Sequence, residues 1–145
     1  MPKKQSILFI CTGNSCRSQM AEGWTRHLHG DHWQAYSAGI EVHGLNPRAV
    51  QVMSEAGVDI SGQRSTAITD YRDRTFDYVV TVCDHAHETC PFFPAKTRVV
   101  HRGFDDPPRL AEHASSEEEA LAPYRQVRDE IRAFVDALPD SLGTE

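Results

Sequence analysis

Ile7-Leu8-Phe9-Ile10-Cys11-Thr12-Gly13-Asn14-Ser15-Cys16-Arg17-Ser18 decides the fold. Four apolar residues in a row read as a buried strand, and the helical spacing that begins after the loop reads as a helix. A cysteine and an arginine separated by five residues, at a strand-to-helix turn, make a seat for a tetrahedral oxyanion. Backbone N–H groups of Thr12, Gly13, Asn14, Ser15, Cys16, Arg17 and Ser18 can converge on one point, and the helix N-terminus adds partial positive charge. Arg17 presents a planar fork that holds two oxygens. The same field favours a Cys11 thiolate, and Ser18 is placed to donate a hydrogen bond to it. Gly13 allows a tight path in which φ can be positive, and Asn14 is expected to hold the loop through its side chain or to adopt the left-handed conformation. Cys16 is expected to pack as a small buried thiol.

Outward from this segment the chain alternates strand and helix. Strands are expected at about Ser6–Ile10, Gln34–Ala38, Phe76–Val82 and Arg98–His101. Helices are expected from about Ser15 to His29, and from Pro47 to Gly57 with Asn46 as N-cap. A C-terminal helix follows a capping pair Ser115/Glu118, is interrupted or restarted at Pro123, and ends at Pro139. This order predicts an α/β, three-layer sandwich: a four-stranded parallel sheet with helices on both faces, in one domain spanning 1–145. Cys11, Cys83 and Asp106 then all follow strands, at the carboxyl edge where such sheets form their sites.

Composition narrows the partners. A net charge of −6 over 145 residues argues against nucleic acid, and any anion site must be built locally. No apolar run approaches about eighteen residues, so no membrane span is expected, and the start of the chain does not read as a signal peptide. A cytoplasmic monomer is the expectation. In that compartment Cys11, Cys16, Cys83 and Cys90 read as catalytic, redox-active or metal-binding.

Phe104-Asp105-Asp106-Pro107 places a carboxyl group after the last strand, where it can give a proton to a leaving oxygen. Its plain alternative is an aspartate-proline turn. Cys83-Asp84-His85-Ala86-His87-Glu88-Thr89-Cys90 admits three readings: a redox pair, a zinc set of Cys83, His85, His87 and Cys90, or unrelated thiols beside a solvated histidine face. Four ligands within eight residues crowd the backbone, which counts against zinc. As a straight helix the segment would hold Cys83 and Cys90 roughly 10 Å apart. A disulfide needs Cα atoms within about 7 Å, so that pair requires the segment to loop out. The other histidines, His27, His29, His32, His43, His101 and His113, form no metal spacing and read as surface or satisfied. Trp24 and Trp33 read as packing residues.

The runs CTGNSCRSQMAEG, YSAGI, NP, VVTVCDHAHETCP and GFDDP closely resemble the thioredoxin-coupled arsenate reductases, which share the fold of low-molecular-weight protein tyrosine phosphatases. The resemblance extends from about Ile7 to Phe134. It implies that arsenate, with phosphate or sulfate as competing oxyanions, sits in the loop on Arg17. It implies Cys11 as nucleophile and Asp106, rather than Asp105, as proton donor. It further implies a Cys11–Cys83 disulfide, then a Cys83–Cys90 disulfide reduced by thioredoxin, in arsenic detoxification, with no bound cofactor and a weak phosphatase side activity. The phosphatases themselves are the alternative; they carry a tyrosine where this chain has Pro108. Some of the reductases bind potassium through an asparagine, a glutamate, a serine and an acidic residue. Asn14, Glu22 and Ser37 match three of these, but Thr66 stands near the acidic position, so an incomplete potassium site is expected.

Overall fold

The computed structural model describes residues 4–71, 73–83 and 97–142. Its sheet has four parallel strands, β1 (Gln5–Cys11), β2 (Trp33–Gly39), β3 (Tyr78–Thr81) and β4 (Arg98–His101), in the order β2-β1-β3-β4. The central β1 is the apolar run that opened the sequence. Ile7, Leu8, Phe9 and Ile10 are fully buried because both faces of a central parallel strand are covered.

α1 (Arg17–His29) crosses from β1 to β2, and α2 (Pro47–Glu55) follows. A short α3 (Pro107–Leu110) precedes the long α4 (Glu117–Asp136). α1, α2 and α4 pack against one another. Ser37 on β2 reaches Glu22 on α1, so that face of the sheet lies under these helices. The next residue back, Tyr36, points to the opposite face. There it meets Tyr71, in the 3-10 turn Ile68–Tyr71, and Phe76 in edge-to-face contacts of 6.0 and 5.4 Å. Trp24 and Trp33 are buried, as expected of packing residues.

Asn46 caps α2 as the sequence indicates, its Oδ1 accepting from the backbone N–H groups of Arg48 and Ala49 at 2.8 and 3.4 Å. The cap of α4 falls one residue later than expected. Ser116 Oγ accepts from Glu119 N at 3.1 Å, while Ser115 Oγ donates to the Glu119 carboxylate at 2.7 Å. Two adjacent serines before three glutamates fit the capping pattern in either register, and the apolar stripe decides. Starting at Glu117 buries Ala120, Leu121, Tyr124, Val127 and Ile131 on one side. That stripe also explains why α4 runs through Pro123 without interruption. An interior proline costs about 3 kcal/mol in an isolated helix, and burial on both sides of it outweighs this. Among the described residues, no helix is long and apolar enough to cross a membrane.

Candidate oxyanion site at the carboxyl edge of the sheet

The loop between β1 and α1 is shaped from outside. The carbonyl of Cys11 accepts from Ile40 N at 3.2 Å, that of Thr12 from Glu41 N at 2.8 Å, and that of Gly13 from His43 N at 2.9 Å. The Asn14 carbonyl accepts from Gln19 Nε2 at 2.9 Å, and the Ser15 carbonyl from Asn46 N at 2.9 Å. Five consecutive carbonyls are therefore turned outward. In a planar trans peptide the next N–H points the opposite way, so the N–H groups of residues 12–16 face the interior of the loop. Two glycines permit this close wrapping. A Cβ on Gly13 would lie 2.1 Å from His43 Nδ1, and one on Gly39 would lie 2.6 Å from Asn14 N. Gly13 does not take a positive φ; of the two residues the sequence offers for it, Asn14 adopts that conformation, at 49°. Asparagine tolerates the left-handed region, and the cradle needs glycine at position 13 for room alone.

Asn14 then orients the nucleophile. Its Oδ1 accepts from Thr66 N at 2.6 Å, which fixes the amide and turns Nδ2 toward Ser18 Oγ at 2.8 Å. With its oxygen accepting from Asn14, Ser18 has its own O–H left to donate to Cys11 Sγ, 2.9 Å away. The thiol at the base of the loop is thus held by a hydroxyl whose direction is set two residues deeper. Cys11 is buried, and so is Cys16 beside it. Burial, and then the nearby Cys11, push the Cys16 thiol far up, so it stays protonated.

Arg17 opens α1 with its side chain largely buried. Its Nη1 donates to the Phe104 carbonyl at 3.0 Å, and its Nη2 lies 3.5 Å from Asp106 Oδ1. Asp106 is the N-cap residue of α3 with Pro107 at the first helical position, and its carboxyl is 43% exposed. A cavity of 250 Å³ is enclosed by Cys11, Arg17 and Asp106 with His43 and Pro108 at its sides. On one side a cleft of 480 Å³ shares Thr12, Arg17 and Asp106 with it and adds Cys83 and Arg109. Cys83 sits two residues beyond β3, where Val82 N still donates to the Ile10 carbonyl at 2.9 Å and so prolongs the pairing with β1. Its Sγ is 3.3 Å from Thr12 Oγ1. Residues 11, 17, 83 and 106, far apart in sequence, converge as the strand-edge argument requires. His85, His87 and Cys90 lie outside the described residues.

The potassium expectation is tested by Asn14, Glu22 and Ser37. Ser37 Oγ donates to Glu22 Oε1 at 2.6 Å, and Arg26 Nη2 lies 2.5 Å from Glu22 Oε2. Both carboxylate oxygens and both polar atoms of the Asn14 amide are thus engaged within the protein. A guanidinium already supplies the positive charge, and Thr66 adds none of the negative charge a cation would want. This donor set does not fit a bound potassium ion. Burial raises the Glu22 carboxyl above its ordinary range, against the pull of Ser37 and Arg26.

Sequence reasoning missed His43. It carries no spacing signal, since it reaches the loop only because residues 40–46 run alongside it. Its N–H binds the Gly13 carbonyl and its Nε2 lies 3.3 Å from Glu41 Oε2.

A thiol under a ring of inward N–H groups, with an arginine at the helix start and an aspartate-proline turn above, defines an α/β fold built around one oxyanion-sized seat. That class is shared by hydrolases and reductases alike. The chain belongs to the low molecular weight phosphotyrosine protein phosphatase family, which residues 6–145 match. It is 53% identical over 128 residues to an arsenate reductase of Halalkalibacterium halodurans, covering 88% of this chain and 90% of that protein. Among solved structures it is similar to an arsenate reductase in an oxidized state, with a TM-score of 0.78 and 28% identity, covering 96% of this chain and 99% of the other. It is likewise similar to an arsenate reductase in a phosphate-binding state, with a TM-score of 0.73 and 28% identity over the same shares.

Proposed function

We propose that this protein is an arsenate reductase that works by a three-cysteine relay and is regenerated by thioredoxin. The observation that carries the reading is Cys83, which lines the same cleft as Thr12, Arg17 and Asp106. A phosphatase needs the loop, the arginine and the aspartate; it has no use for a second thiol there.

Arsenate enters the loop, its oxygens held by the inward N–H groups and by the Arg17 fork. The Cys11 thiolate attacks arsenic and forms an S–As bond. One oxygen leaves as water on taking the Asp106 proton. The Cys83 thiolate then attacks Cys11 Sγ. The S–As bond breaks with its electron pair on arsenic, which passes from arsenic(V) to arsenic(III) and departs as arsenite. One disulfide supplies the two electrons this requires. The Cys90 thiolate attacks Cys83, releases Cys11 and leaves Cys83–Cys90 for the thioredoxin dithiol to reduce.

The relatives named as arsenate reductases support this reading, as does the Thr12–Cys83 contact that ties the second thiol to the loop. Arg26 paired with the Glu22 carboxylate supports a protein that works without potassium. The test is NADPH oxidation coupled through thioredoxin reductase and thioredoxin, with arsenate or phosphate as substrate. Consumption with arsenate alone is the expected result. Silence with arsenate, together with efficient aryl-phosphate hydrolysis, would make the protein a phosphatase.

A further inference from the structure

We propose that His43 determines specificity at this site, as a partition that favours inorganic oxyanions in the seat and weakens the binding of aryl phosphoesters without abolishing it. The inference rests on the oxyanion site as read above and goes beyond it to the substituent the site will accept.

His43 lines two cavities at once: the 250 Å³ space around Cys11, and a neighbouring one of 510 Å³ bounded by Leu45, Pro47, Arg48 and Tyr124. Ser15 lines both as well, and the ring beside it, about half exposed, has three contacts on the loop and its flank. Its backbone N–H binds the Gly13 carbonyl at 2.9 Å, its Nε2 faces the Glu41 carboxylate at 3.3 Å, and its Nδ1 occupies the space a side chain at position 13 would fill. A bare tetrahedral oxyanion is contained by the smaller cavity. An ester carries a substituent on one oxygen, and that substituent must leave the seat.

Two exits exist. The cleft toward Cys83 is lined by Arg17, Arg109, Asp105 and Asp106, a charged surface that an aromatic ring would have to desolvate. The space beyond His43 offers Leu45 and Pro47 beside the paired Arg48 and Glu117, with the Tyr124 ring buried beneath, so an aryl group meets more apolar surface there than in the cleft. The imidazole narrows that second exit. Its Glu41 partner keeps it in place and offsets the positive charge it would carry if protonated, so steric bulk, more than charge, is what the ring contributes.

The experiment compares phenylphosphonate with inorganic phosphate as protectants of Cys11 against iodoacetamide, followed on the Cys11 peptide by mass spectrometry. It needs no turnover. In His43→Ala the half-protecting concentration of phenylphosphonate should fall about tenfold relative to that of phosphate, the range expected when a pocket gains room for an apolar group. In His43→Phe, which restores bulk without ring nitrogens, the ratio should return to within about threefold of the starting protein. An unchanged ratio in His43→Ala, or a tenfold fall in His43→Phe as well, would overturn the partition. Equal gains for both anions would assign the effect to charge and overturn it too. Arsenate turnover by the unmodified protein is scored separately. If it fails while the ratio shifts as expected, the reductase reading falls and the partition stands.

Discussion

Replacing Asn14 tests how the site is held together. The side chain is fully buried, sits at φ 49°, and makes two hydrogen bonds, from Thr66 N at 2.6 Å and to Ser18 Oγ at 2.8 Å. Asn14→Ala removes both bonds, at about 1 kcal/mol each. It also leaves at φ 49° an alanine, which lacks asparagine's tolerance of the left-handed region, for up to about 1 kcal/mol more. The expected loss is about 2–3 kcal/mol, or on the order of 10 °C in melting temperature for a chain of this size. Asn14→Gly loses the same bonds but adopts the backbone freely. After its larger unfolded-state entropy is subtracted, it should be about 0.5–1 kcal/mol more stable than the alanine variant. Urea denaturation of the three proteins reads both numbers. The functional link is read by iodoacetamide alkylation of Cys11. With Asn14 gone, the Ser18 hydroxyl is free to turn away from the sulfur, so alkylation should slow, and adding Ser18→Ala should slow it little further. If Asn14→Ala costs under about 1 kcal/mol, or Ser18→Ala acts fully in the Asn14→Ala background, the chain from Thr66 through Asn14 to Cys11 is wrong.

Three further outcomes follow from the same geometry. Cys83→Ser should abolish thioredoxin-coupled arsenate turnover while slow aryl-phosphate hydrolysis persists, since hydrolysis needs only Cys11, Arg17 and Asp106; a coupled assay and a colorimetric phosphatase assay separate the two. Glu22 is raised by burial from its ordinary value of 4.5, so the folded protein holds a proton the unfolded chain releases. Its contribution to stability is therefore lost as pH rises from 4.5 through the raised value, and Glu22→Gln should flatten that part of a urea-stability profile. Melting temperature should be equal in potassium and sodium chloride at matched ionic strength. A potassium site filled at ten times its dissociation constant would add about 1.4 kcal/mol, roughly 5 °C, in the potassium arm alone.

The sequence was most legible where a local rule has one solution. Ile7–Ile10 is an unbroken apolar run, Asn46-Pro47 is a cap followed by the one residue suited to the first helical turn, and Arg98–His101 matches β4 in full. It was ambiguous where two registers satisfy the same rule, as at Ser115 and Ser116, and where tertiary burial overrides a local cost, as at Pro123. In the site, Cys11 and Arg17 were legible because a strand-to-helix junction marks them; the strand-to-turn junction marked the pair Asp105-Asp106, and the choice of Asp106 rested on the family resemblance. The inward turn of the loop was not, since it depends on hydrogen bonds from residues 40–46 to residues 11–15. For the same reason His43 was indistinguishable from a surface histidine, and the Glu22–Arg26 pair from a solvated helix face. Contacts between elements carry no signature in either element alone.

The central claim is that electrons leave Cys11 through Cys83. Cys90→Ser, mixed with excess arsenate in the thioredoxin-coupled system and quenched by acid, tests it most directly. Peptide mapping should find one Cys11–Cys83 disulfide per arsenite formed, with turnover ending after about one cycle because no third thiol can release Cys11. Sustained arsenite production by this variant, or arsenite formed with Cys83 still alkylatable, would contradict the relay.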